Sequence, residues 1–217
     1  MALLGAHRRD RPAASPTVIA SRLLEKVLDT EKLEQLGTLN ILDFGRANSA
    51  SLELFNQFSC RLSVLDTADT LLEWSADIAR READEPPTQL QLQHELGGLL
   101  SAMGEHRYDL VFLWDTVNHL HERALPAFSA LLRRHLTPHA RGHGFMLHKR
   151  ESPRRMRRMG LGGTNEIRLI EETDAELFPH TRKTVSEALG PDLQIDHAVL
   201  HADGRLEYLL SAATVKR

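Results

Sequence analysis

The chain carries a single cysteine, Cys60, in 217 residues. One thiol can build neither an internal disulfide framework nor a thiolate zinc site, so a reducing compartment, the cytoplasm, is the expected setting. No apolar run approaches the roughly 20 residues of a membrane-spanning helix. Met1 to Asp10 places its charges after its short apolar start, unlike a secretory leader. An excess of one charge is missing too: the formal net charge of −3 gives no global attraction to nucleic acid or to a membrane surface. Aromatic residues are scarce, at 5%. None is interleaved with the sharpest basic cluster, Lys149, Arg150, Arg154, Arg155, Arg157 and Arg158, so that cluster lacks the stacking platform of a single-strand binder.

What is present suffices for one substantial core, since 41% of residues are hydrophobic. Residues 1–16, with His7, Arg8, Arg9 and Arg11, lack periodicity and read as a mobile basic arm ahead of one domain over 17–217. Ser15 and Pro16 suit the start of a helix, and Ile19, Leu23, Leu24, Val27 and Leu28 recur on one face, predicting a helix to about Leu36. Leu39 to Phe44 and Arg61 to Leu65 read as strands flanking a short helix at Ser51 to Phe58. A helix with a capping box from Thr70 to Glu73 follows, and a weak alternating strand is expected at Gln89 to Gln93. Tyr108 to Trp114 is the strongest strand signal. A helix from about Ala124 to Leu136 and a strand at Gly144 to His148 come next. Leu193 to His201 and Arg205 to Ser211 flank Ala202-Asp203-Gly204, a hairpin signal. The alternation of strand and helix predicts a doubly wound, mostly parallel α/β sheet that finishes in an antiparallel hairpin.

The chemistry concentrates where Ile41-Leu42-Asp43-Phe44-Gly45 turns into a helix and the next strand ends in Asp66. A strand-to-helix turn presents backbone N–H groups and a positive helix end, and an acid about 20 residues further on can accept bonds from ribose hydroxyls. Glycine is lacking where such a turn uses it again: Ala47 and Ser49 stand at the second and third positions. Each adds a β-carbon where a ligand would approach bare backbone. Arg46 could reach a ligand carboxylate or fold into the cleft and fill it. Asp66 and Asp115 could face a ligand or cap the structure that follows, and Trp114 could stack on a ligand or belong to the core.

This order of pieces resembles the class I S-adenosylmethionine-dependent methyltransferases, with a degenerate glycine-rich motif. Ile41 to Gly45 is similar to the family's first motif, Asp66 to its ribose-binding acid, and Tyr108 to Asp115 to its fourth-strand motif. Leu136-Thr137-Pro138 with Gly142 and Gly144 is similar to the turn that leads into its fifth strand. The resemblance implies a Rossmann-like fold and S-adenosylmethionine held by Gly45, Ala47, Asp66 and Asp115. It also implies methyl transfer to an oxygen or nitrogen of a small molecule. Val117-Asn118-His119-Leu120 matches a segment that often carries a histidine, and His119, ahead of His121, is the candidate base because an imidazole titrates near neutrality.

A second reading belongs to another class. It is a non-catalytic, methyltransferase-derived binding or scaffold protein whose basic rim, Arg154, Arg155, Arg157 and Arg158, holds an anionic partner. Met159 to Gly163 reads as a flexible continuation of that rim, and its arginines are expected to be exposed; the bland alternative pairs them with Glu171, Glu172, Asp174 and Glu176. Nucleic-acid methylation is disfavoured because an Asn/Asp-Pro-Pro-aromatic motif is missing after the fourth strand. No metal site is expected: His135, His139, His143 and His148 are interrupted by Pro138 and by Gly142 and Gly144.

Overall fold

The computed structural model describes residues 17–29, 33, 35, 37–148 and 154–212. The chain runs β1 (Thr17–Ala20), α1 (Leu24–Val27), β2 (Leu39–Asp43), α2 (Ser49–Phe55), β3 (Cys60–Val64), α3 (Ala68–Arg81) and α4 (Gln89–Leu99). It continues with β4 (Tyr108–Trp114), α5 (Leu125–Arg134), β5 (Leu136–Leu147), β6 (Arg155–Leu161), β7 (Glu166–Asp174), α6 (Arg182–Leu189), β8 (Leu193–Leu200) and β9 (Arg205–Ala212).

Apolar runs bounded by turn residues become the central strands of a six-stranded sheet ordered β3-β2-β4-β5-β9-β8. Strands β3, β2, β4 and β5 are parallel, and β9 enters antiparallel between β5 and β8. This is a doubly wound, Rossmann-like α/β fold. Leu71 and Ile78 of α3, Leu92 and Leu96 of α4, Phe128 of α5 and Val185 of α6 bury one face of the sheet. Leu24 and Val27 of α1 and Leu54 and Phe55 of α2 bury the other.

Two expected elements come out differently. The alternating Gln89-Leu90-Gln91-Leu92 is the start of helix α4, not a strand. Thr88 and Gln91 form a reciprocal capping box, so the box lies here, while α3 already begins at Ala68, ahead of Thr70. Leu92 and Leu96, four apart, are buried while Leu90 is 77% exposed, which is helical and not strand periodicity. In the N-terminal segment, Thr17–Ala20 is a strand where a helix was expected, because its β-branched residues pair antiparallel with Glu166–Leu169. The expected arm, the cap at Ser15 and Pro16, Lys149 and Arg150 lie outside the described residues.

That pairing builds a second sheet, β1-β7-β6. The segment expected to be a flexible continuation of the basic rim is strand β6, with Met159 and Leu161 sunk beside α1 and α2. Among the described residues no helix is long and apolar enough to cross a membrane.

Candidate functional site

In an open α/β sheet the ligand crevice lies beyond the carboxyl ends of the strands. Here that place is bounded by the turn after β2, by Asp66 after β3 and by Trp114-Asp115 after β4. The turn is well made: Asn48 caps α2 by accepting from the Ser51 amide at 2.9 Å. The Gly45 amide donates to the Asp43 carboxylate at 2.7 Å, and the Trp114 indole N–H donates to the same oxygen at 2.5 Å. Burial pushes the Asp43 carboxyl up to about 6, although both donors oppose the shift.

Trp114 holds its position with a left-handed backbone, φ 47°, that a bulky residue rarely adopts. Its ring stacks on Phe112 at 5.6 Å and meets the edge of His143 at 5.9 Å. It is a buried core residue that also closes the crevice.

The second sheet completes the closure. A β-carbon on Gly45 would come within 2.5 Å of both the Met159 carbonyl oxygen and Trp114 Nε1. The bare backbone that a Gly-rich turn offers to a ligand is therefore already in contact with the protein itself. Gly160 passes so close to the turn that a β-carbon there would strike Asn48. Ser51 Oγ accepts from the Leu161 amide at 2.9 Å, tying the edge of β6 to α2. As folded, the position that a side chain or ligand atom would take at the β-carbon of Gly45 is occupied by Met159 and Trp114.

The candidate side chains are similarly engaged. Ala47 is exposed on the turn. Asp66 pairs with Arg158 and lies 3.7 Å from Arg46, which also reaches Glu171 at 2.9 Å. Thr67, rather than Asp66, occupies the cap of α3. Asp115 is buried and accepts from Arg205 at 3.0 to 3.2 Å and from Asn118 at 3.1 Å. Burial raises its carboxyl above the ordinary value against the pull of Arg205.

His119 lies on a single helical turn at Thr116–His119, only 3% exposed, with neither ring nitrogen hydrogen-bonded. Burial, then the positive charge of Arg158 and Arg205, drives its imidazole down to about 3, with Asp69 opposing. It is neutral at any physiological pH. His121 instead offers Nδ1 to the Arg123 amide and sits 3.3 Å from Glu82.

The expectation of an exposed arginine rim is overturned at two of its four positions. The side chains of Arg157 and Arg158 are 15% and 11% exposed. The reason is cross-strand complementarity: Arg155, Arg157 and Arg158 on β6 lie opposite Asp174, Glu172 and Glu171 on β7. Arg157 reaches Glu172 at 2.7 Å and also Asp203. Arg158 spans Asp66, Asp69 at 2.5 Å and Glu171 at 3.3 Å. Arg154, ahead of the strand, is exposed, and Arg155 is half-exposed beside Glu172 and Asp174.

One polar centre escaped the sequence reading. Glu207 on β9 is fully buried and accepts from His143 at 2.8 Å, His201 at 2.7 Å, the Ser21 hydroxyl and the Arg22 and Leu23 amides. Burial works to raise its carboxyl, but these donors outweigh it and hold the group well below the usual carboxylate range. The available signal was an acid between Leu206 and Tyr208 in an otherwise apolar strand. Glu207 thereby fastens the link between β1 and α1 to the main sheet.

No family model and no curated protein matches the sequence. Among solved structures, the chain is similar to Burkholderia thailandensis 1,6-didemethyltoxoflavin-N1-methyltransferase with bound 1,6-didemethyltoxoflavin and S-adenosylhomocysteine. That match has 15% identity, 88% of this chain, 77% of the other and a TM-score of 0.47. An S-adenosylmethionine-dependent methyltransferase from Clostridium acetobutylicum matches at 12% identity over 90% of this chain and 93% of the other, with a TM-score of 0.47. The glycopeptide N-methyltransferase MtfA, bound to S-adenosylhomocysteine, matches at 12% identity over 88% and 90%, with a TM-score of 0.43.

Proposed function

We propose that this chain is a methyltransferase-fold protein that acts as a binding or scaffold protein, with its cofactor crevice shut by its own second sheet. The observation that carries this reading is the contact of the Met159 carbonyl and the Trp114 indole with Gly45. S-adenosylmethionine would reach the turn only after β6 leaves it. An anionic partner would meet Arg154 and the half-exposed Arg155, because Arg157 and Arg158 are largely buried against acids of the protein itself. The cytoplasm is the compartment in which we place this role.

A second reading is favoured by His119, a neutral imidazole whose ring nitrogens have no partner. In an opened form, Gly45, Ala47, Asp66 and Asp115 would hold S-adenosylmethionine, which supplies the methyl group. His119 would then take the proton from an oxygen or nitrogen of a small molecule. Asp66 and Asp115 would first have to release Arg158 and Arg205.

Thermal unfolding with S-adenosylmethionine or S-adenosylhomocysteine separates the two. A ligand at a hundredfold excess over its dissociation constant stabilises the folded state by about 2.7 kcal/mol. The closed reading expects no shift of the melting midpoint at millimolar cofactor. A clear rise, accompanied by heat in a calorimetric titration, would sink it in favour of the second.

A further inference from the structure

A groove of about 410 Å³ opens on the face of the main sheet that carries α1, toward the start of β5 and away from the crevice. The strand register builds it. Arg141 on β5, Ser211 on β9 and Gln194 on β8 are direct cross-strand neighbours, and so are His143, Leu209 and His197 in the next row. Cross-strand neighbours project on the same side of a sheet, so Arg141, Ser211, Gln194 and His197 share one surface. Lys26 of α1 overhangs it, and His139, two residues before Arg141, extends the row.

The charge of this surface is one-sided. Lys26 and Arg141 are permanent cations, His139 and His197 add imidazole donors, and Gln194 and Ser211 add neutral ones, whereas Asp196 is the acid in the lining. Among the described residues, neither His139 nor His197 is paired with a carboxylate. The Arg141 guanidinium is anchored by one N–H to the Lys26 carbonyl at 3.2 Å, which fixes the fork and leaves further donors available. The adjoining cavity shares Arg141 and His139 but carries the Asp109 carboxylate, which disfavours an anion. A negative ligand is thus directed to the Lys26 and His197 side. The cavity of about 480 Å³ is lined by Arg133 and Arg134 but also by Asp192, with which Arg133 is paired, and has no imidazole in its lining.

We infer that this groove binds a phosphoryl oxyanion carried by a small molecule. A planar Arg fork with a neighbouring Lys and imidazole donors matches the several oxygens of a phosphate, and the volume lies in the range of small-ligand sites. The site is independent of the crevice and of whether methyl transfer occurs.

The test is calorimetric titration of the full chain with inorganic phosphate and, separately, with phenyl phosphate, against sodium chloride at matched ionic strength. Both phosphates are expected to bind saturably at one site. Arg141→Gln and His197→Gln are each expected to weaken binding about tenfold, the loss of a charge-assisted hydrogen bond, while Lys183→Gln on α6 changes nothing. Melting curves accompany each variant, and His197, being exposed, can be replaced without disturbing the core. Absence of saturable heat from the folded wild type overturns the inference. So does wild-type affinity in both groove variants, or binding of inorganic phosphate with exclusion of phenyl phosphate.

Discussion

His119 occupies a position where a protonated ring has no solvent and no acceptor. Its pKa is lowered on folding, so the unfolded chain binds the proton more readily. Stability from this group is complete above the unfolded value of 6.5 and is lost as pH falls from there toward about 3. At about pH 5 the loss corresponds to about 2 kcal/mol. Since neither nitrogen has a partner, His119→Leu orphans nothing. The variant is therefore expected to match wild type near pH 8 and to be more stable than it at about pH 5, by urea midpoint. A variant equally destabilised at both values would show that the ring contributes a packing role that leucine cannot replace.

Strand β6 is the element that decides what the crevice can do. Its edge would expose the Leu161 amide were it not for Ser51, whose hydroxyl receives it at 2.9 Å. Ser51→Ala keeps the backbone capping bond of α2, from the Ser51 amide to the Asn48 side-chain oxygen, and removes the acceptor of the Asn48 side-chain N–H at 2.6 Å. Removing the hydroxyl strands a buried N–H, which costs about 1–3 kcal/mol. The expected result is a lower urea midpoint with faster hydrogen exchange at Leu161, while the Leu42 and Val111 amides are unaffected. Unaltered exchange at Leu161 would mean that β6 is held by its side chains alone. This element was also the hardest to see in the sequence. Leu39 to Asp43 and Tyr108 to Trp114 announce themselves as continuous apolar runs. Arg155 to Arg158 reads as a solvated rim until Glu171, Glu172 and Asp174 are placed opposite it, and that register is a long-range fact. Gln89 to Leu92 misled because four residues of alternation fit a strand as well as a helix, and only the burial of Leu92 with Leu96 decides. In the crevice, Gly45 and Asp66 were legible as lining residues. The plug was not, since the atom nearest Gly45 on β6 is a backbone carbonyl, which no residue type advertises.

Across the whole molecule, the two sheets differ in how they are held. The central strands are covered on both faces by apolar side chains. The β6–β7 pair buries Met159, Leu161 and Ile167 on one side and adds ion pairs to its surroundings on the other, of which Arg158 with Asp66 and Asp69 is the main set. Such pairs are individually worth about 0–1 kcal/mol and weaken with salt. Native-state hydrogen exchange should accordingly show β6 and β7 opening at lower free energy than β2 and β4, with the gap widening as salt is added. A single exchange free energy across both sheets would contradict this division. The Met159 carbonyl against Gly45 can then be regarded as a tethered competitor, present at an effective concentration set by the chain and not by the surroundings. Any molecule seeking the turn is weakened by the fraction of chains in which the tether is out. If that fraction is about one in a thousand, affinity falls about a thousandfold. Loosening β6 would therefore change the concentration at which this fold responds to a ligand without altering a single residue that touches it.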